Sequence, residues 1–157
     1  MTETLPPFQT LLDRHREDVW RLLRAMVGAP AAEDCFQETF LAALRAYPRL
    51  RPDSAPKAWL LRIAHNKAID HLRRARREVL GGVDEQLADR PSRDQTAADG
   101  TIWSAVAALP PRQRAAVALR YIGDLSHREI ADAIGCSEEA SRRSLHEGLE
   151  TLRRNDQ

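Results

Sequence analysis

Apolar residues return every third or fourth position along almost the whole of this 157-residue chain, and no segment alternates apolar with polar in steps of two. The first spacing stacks side chains on one face of a helix, whereas a half-buried strand needs the second. The chain is therefore expected to be all-α. Phe8, Leu11, Leu12, Val19, Leu22, Leu23 and Met26 form one stripe, with Pro6 and Pro7 before it and Gly28 and Pro30 after it. A second helix is expected from Ala31 to Tyr47, with Phe36, Phe40, Ala43 and Tyr47 on its stripe. Pro48, Pro52 and Pro56 punctuate a loop, and a third helix is expected from Lys57 to Val79.

The period fails once, over residues 80–100, which hold a Gly pair, a Pro and five acids against two bases. Such a stretch cannot bury a stripe and is expected to be a flexible acidic linker. It divides the chain into a domain at 6–79 and another at 101–154, the second made of four short helices. Apolar residues make up 43% of the chain, enough for a core, but the formal charge is only +1, so any signal for a polyanionic partner has to be local. The two cysteines are far apart and lack CxxC spacing, which excludes a disulfide framework or a zinc site and fits a reducing compartment. The N-terminus carries charges where a signal peptide needs an apolar core, and no apolar run approaches the roughly 18 residues of a membrane span. A soluble, cytoplasmic protein without membrane insertion is expected. No acid and histidine cluster, nucleophile pair or glycine-rich phosphate loop is evident, so neither catalysis nor a metal or cofactor is expected.

The second domain holds the most specific local motif. Ser126-His127-Arg128-Glu129 is a capping box, in which the Ser hydroxyl accepts from the Glu129 amide and the Glu side chain returns the bond. The helix it starts ends at Gly135, and Ser137 caps another with Glu138 and Glu139 at its positive end. Ala131 is small enough for the two helices to approach closely. Helix, Gly turn, helix is the helix-turn-helix pattern, whose second helix enters the major groove; the alternative is an ordinary helical hairpin with solvated arginines. Leu145, Leu149 and Leu152 turn inward, leaving Arg142, Arg143 and His146 outward. Arginines there suit guanine or phosphate, while Glu138, Glu139, Glu147 and Glu150 repel phosphate and weaken binding to free DNA.

In the third helix Leu61, His65, Ala68, Leu72, Ala75 and Val79 share one side and are expected to pack inward. Trp59, Ile63, Asn66, Asp70, Arg73 and Arg77 line nearly the opposite side. Between Arg51 and Glu78 stand eight bases and three acids, the one strongly basic stretch of the chain. An aromatic platform flanked by cations suits single-stranded DNA; the alternative is Trp59 in the core and a solvated helix end. Asp70 is placed to support Arg73 or Arg74 across one turn. On the second helix Glu33, Asp34, Gln37 and Glu38 either complement the helix dipole or form a docking surface for a basic partner.

Taken in order, EDxxQETF, AWLxxIAxNxxxDxxRR and LPPRQRxxxxLRYxxxLSxxEIAxxxGxS resemble the extracytoplasmic-function (ECF) subfamily of sigma-70 type sigma factors, over about residues 8–79 and 101–154. The resemblance implies a sigma-2-like domain joined to a sigma-4-like helix-turn-helix domain. It implies that the chain binds core RNA polymerase, through its β′ and β subunits, and directs it to promoter DNA. Asp34, Gln37 and Glu38 would then face the β′ clamp. Trp59, Asn66, Asp70, Arg73, Arg74 and Arg77 would lie at or near the melted −10 strand, with the loop at about 50–56 helping to pocket a flipped base. Arg142, Arg143 and His146 would read the −35 duplex, and an anti-sigma factor is implied as a further partner. The free modules are expected to be joined by a mobile linker, to bind DNA weakly, and to be held at a fixed spacing only on polymerase. The chain departs from the family pattern in the second helix of the motif, where Glu139-Ala140-Ser141-Arg142-Arg143 replaces a Gly-Thr-Val-Lys/Arg-Ser run, and Glu147 stands where a base is usual. A rival reading is an operator-binding helix-turn-helix regulator acting as a dimer.

Overall fold

The computed structural model describes residues 5–80 and 102–156, and every element among them is helical. α1 (Phe8–Val27) stops at Gly28, whose φ of 82° lies where L side chains are strained. α2 (Ala29–Ala46) begins two residues earlier than its stripe suggests, because Pro30 sits in its first turn, where the missing N–H costs nothing. A single 3₁₀ turn, Tyr47–Arg49, follows. α3 (Pro56–Leu80) again starts on a proline and runs one residue into the expected linker, most of which lies outside the described residues.

The three long helices pack pairwise. Val19, Leu22, Leu23 and Met26 meet Cys35, Phe40 and Ala43 from α2 and Leu60, Leu61, Ala64 and Ala68 from α3. An aromatic chain seals the far end: Phe8 stacks near Phe40 and Tyr47, Phe36 lies between Trp20 and Phe40, and the Tyr47 hydroxyl donates to the Pro6 carbonyl. Burial on α3 departs from the single expected stripe. Leu60 and Ala64 are fully buried, and Val79, expected inward, is 75% exposed. α3 lies between α1 and α2 on one flank and a C-terminal helix on another, so its first half buries two stripes and its last turns bury little.

The C-terminal domain is α4 (Ile102–Ala107), α5 (Pro111–Tyr121), α6 (His127–Ile134) and α7 (Glu138–Asn155). α5 is buried from Arg114 to Leu119, with alanines allowing close approach. Gly148 of α7 lies so near α5 that a Cβ there would stand 3.0 Å from Val117. Contrary to the expectation of modules free of one another, the two domains are in contact: α3 packs on α6, and α1 on α4 and α5. Their buried residues form one continuous apolar cluster. No helix among the described residues is long and apolar enough to cross a membrane.

Candidate nucleic-acid and polymerase interface

The helix-turn-helix forms as its sequence dictates. Ser126 Oγ accepts from the Glu129 amide at 3.1 Å and Glu129 Oε1 accepts from the Ser126 amide at 3.0 Å. Gly135 is left-handed at φ 83°, and both it and Cys136 donate to the Ala131 carbonyl, which closes α6 and turns the chain. Ser137 Oγ accepts from the Ala140 amide to start α7. Ser141 is fully buried and donates weakly, at 3.5 Å, to the His127 carbonyl, while Leu145 seals the hairpin. Arg142, Arg143 and His146 all remain exposed. Their neighbours distinguish them. Arg142 is paired with Glu138 at 2.8 Å, and His146 Nε2 lies 3.3 Å from Glu150, a contact that is ionic only when the imidazole is protonated. Among the described residues no ion pair engages Arg143.

On α3, Asn66, Asp70, Arg73 and Arg77 are exposed along one face, as their spacing predicts. Trp59 and Ile63 are half-buried, and the Trp59 ring lies 6.2 Å from that of Tyr47. The indole therefore shares both readings left open by sequence: one side packs on the core, and another reaches the surface. Arg74 is not held by Asp70. It reaches across to Glu38 of α2 at 3.6 Å, both side chains being about half exposed. An open groove between α2 and α3 consequently brings Glu38 and Leu41 beside Lys67, Asp70, Arg73 and Arg77. A second groove, lined by Asp34, Gln37, Glu38, Leu41 and His71, adjoins it. The acidic and basic candidates are thus neighbours across one groove.

Sequence reasoning missed two residues here. Leu41 and Leu44 are 54% and 51% exposed. With Asp34, Gln37 and Glu38 they make a second stripe at steps of three and four, opposite the buried Phe40 and Ala43. The signal was present in the spacing, which sets both leucines off the Phe36, Phe40, Ala43 and Tyr47 stripe, but an apolar residue off a stripe is not by itself a mark of function.

Three buried groups belong to packing. Cys35 is 2% exposed, and burial, reinforced by Glu38, pushes its thiol up to about 11. Arg114 is wholly buried and comes down to about 10 through desolvation, still charged at neutral pH. His65 is pushed down to about 4 by burial, although the Asn66 side chain and the Ala133 backbone favour its charged form. Its Nδ1 has no hydrogen-bond partner. A histidine whose folded value lies below its ordinary 6.5 contributes full stability above that value and loses it as pH falls towards 4. At about 1.4 kcal/mol per unit, roughly 2–3 kcal/mol should be lost between pH 7.5 and 4.5. Urea titrations at the two pH values, compared with His65→Leu, check this; equal slopes in the two proteins would remove His65 as the cause.

A three-helix domain with a basic, aromatic-ended helix, joined to a capped helix-turn-helix, defines a helical DNA-binding protein of two domains. Residues 11–78 match the Sigma-70 region 2 model and residues 100–152 the Sigma-70, region 4 model. The ECF RNA polymerase sigma factor SigX of Bacillus subtilis is 32% identical, over 94% of this chain and 82% of SigX. An uncharacterized protein of Rhizobium meliloti is 34% identical over 89% of this chain, which spans only 36% of that longer protein. Among solved structures, RpoE of Bartonella quintana, in complex with the anti-sigma factor NepR, matches with a TM-score of 0.78 at 22% identity, over 96% of each chain. CnrH, in complex with the cytosolic domain of CnrY, matches with a TM-score of 0.66 at 27% identity, over 92% of this chain and 84% of CnrH. The chain belongs to the ECF RNA polymerase sigma factors. It is a transcription-initiation factor and not an enzyme, which displaces the operator-binding dimer.

Proposed function

We propose that this sigma factor docks on core polymerase through α2, captures the melted −10 strand on α3 and reads the −35 duplex with α7. In this reading residues 6–79 and 101–154 are the two working domains, and 80–100 connects them. The observation that carries it is the outward face of α3, where a half-buried Trp59 leads into exposed Asn66, Asp70, Arg73 and Arg77. Bases released from the duplex would stack at the indole while the arginines hold phosphates, offsetting the cost of unpairing. Asp34, Gln37 and Glu38, extended by Leu41 and Leu44, form a mixed acidic and apolar stripe suited to a basic helical surface of polymerase. The same stripe suits an anti-sigma factor, the kind of partner with which RpoE of Bartonella quintana was solved. Work at the polymerase puts the protein in the cytoplasm. On α7, Arg143 is the foremost −35 reader, because Arg142 and His146 each face a carboxylate of their own helix.

Run-off transcription with purified chain, sigma-free core polymerase and fragmented genomic DNA tests the reading as a whole. Discrete transcripts that need the chain are expected. Asn66→Ala should then lower open-complex formation by about 5- to 150-fold, the equivalent of about 1–3 kcal/mol for one base contact, while leaving closed-complex binding nearly unchanged. Equal losses in both steps would argue against strand capture.

A further inference from the structure

On α7 the helical period sets Ser141, Leu145 and Gly148 on one side, and all three are buried. Arg143 and Glu150 stand nearly opposite, flanked by His146 and Glu147, and these four are exposed. The steps from Arg143 through His146 and Glu147 to Glu150 are three, one and three. Base-contacting positions on the major-groove helix of homeodomains follow the same steps.

The four side chains are engaged differently. His146 and Glu150 face each other at 3.3 Å along the helix. Arg143 and Glu147 also stand four residues apart, the spacing of a helix ion pair, yet among the described residues no ion pair joins them. Glu147 turns instead to α5, where its Oε2 accepts from Gln113 Nε2 at 3.4 Å. The two helices come close at Gly148, where a Cβ would stand 3.0 Å from Cγ2 of Val117 and 3.4 Å from the Cβ of Gln113. The outward face of α7 therefore carries a carboxylate positioned from another helix. A carboxylate has two acceptor oxygens with about four lone-pair sites, so one bond from Gln113 leaves most of its accepting capacity open.

Few groups in a major groove can meet such an acceptor. Guanine presents O6 and N7, thymine presents O4, and phosphate is itself negative, so each repels it. The donors are the amines at N4 of cytosine and N6 of adenine. The adenine amine lies between two acceptors, its own N7 and the O4 of the paired thymine, whereas the cytosine amine has an acceptor on one side only. Cytosine is thus the better match for a carboxylate. Arg143, one turn earlier, offers the complementary fork for guanine O6 and N7.

We propose that Glu147 is a specificity-determining residue of α7: positioned by Gln113, it accepts the N4 amine of one cytosine in the −35 duplex and turns away promoters that place guanine or thymine there. The inference deepens the −35 reading of α7 given above and rests on it. Glu147 weakens attraction to phosphate in general and widens the difference between sequences, because specificity is a difference of affinities that a repulsive contact enlarges.

The test randomises the −35 base pairs of a promoter found by run-off transcription. Templates are then selected by transcription with core polymerase carrying the full chain, Glu147→Gln, Gln113→Ala or Arg143→Ala. With the unaltered chain, one −35 position should favour cytosine on one strand by about fivefold or more. Glu147→Gln keeps the side-chain length at an exposed position, so folding is retained. An amide pairs with adenine, and the preference at that one position should move from cytosine to adenine. Gln113→Ala should narrow the cytosine preference there and alter no other position. An unchanged selected sequence in Glu147→Gln overturns the proposal. So does a uniform rise in template use across all −35 sequences, which would make Glu147 a repellent of phosphate alone. Should Arg143→Ala change the selected sequence while Glu147→Gln does not, the cytosine contact falls and the −35 reading of α7 stands. Should neither change it, both fall.

Discussion

Leu61→Ala should cost about 2–5 kcal/mol and destabilise both domains together. Leu61 is fully buried in the apolar cluster shared by the two domains and lies against the Gly123 loop of the C-terminal one. Truncation removes apolar area from water-excluded packing and opens a cavity that two domains would have to collapse to fill. Against a total stability of roughly 5–15 kcal/mol, that is a large fraction. Urea unfolding followed by circular dichroism and by tryptophan fluorescence checks it. Trp20 and Trp59 report on the N-terminal domain and Trp103 on the C-terminal one. One transition at lower urea is expected from both signals. A C-terminal transition left unmoved would mean that the domains unfold independently. Leu41→Ala is the control: at 54% exposure it should shift stability by no more than about 0.5 kcal/mol.

The second large effect is expected at the proposed docking face. Asp34→Lys should weaken binding to core polymerase by about ten- to a thousandfold, the range of close charge pairs across interfaces, and should leave folding intact because Asp34 is exposed. Glu38→Lys should lose at least as much, and for two reasons. It reverses a docking charge, and it sets a cation against Arg74, which Glu38 now faces at 3.6 Å. Binding measured at two salt concentrations separates these contributions, since the long-range part is screened. Unchanged affinity in Asp34→Lys would sink the docking assignment.

The coupling of Glu38 to Arg74 bears on how the site works as well as on how it is tested. A residue proposed for polymerase and one proposed for DNA share an ion pair across the α2/α3 groove. That pair is half exposed and so worth little by itself. The alternative partner for Arg74, Asp70 one turn earlier, was equally available by spacing. Helix geometry offers both, and only the approach of α2 selects between them.

Much of the site was legible from local rules. The capping box at Ser126, the left-handed Gly135 and the Ser137 cap depend on residues within a few positions of one another, and all three form as read. The exposure of Asn66, Asp70, Arg73 and Arg77 follows from a period of 3.6, as does that of Arg142 and Arg143. The failures have a common origin. Val79 fits the stripe but is exposed, Leu60 and Ala64 lie off it but are buried, and Leu41 and Leu44 are apolar yet face outward. Periodicity states which residues share a face and is silent on how many faces a helix buries.

By itself, then, the sequence determined the helices, their caps and stops, the helix-turn-helix and the face on which each candidate side chain stands, because each of these is settled by contacts within a few residues along the chain. The tertiary structure alone decided that α3 buries two flanks, that Arg74 meets Glu38, and that Arg114 crosses from one domain to close on the Met26 carbonyl of the other. Those outcomes depend on groups up to 88 positions apart, brought together by the burial of a shared apolar cluster, and no local period encodes which distant surfaces will meet.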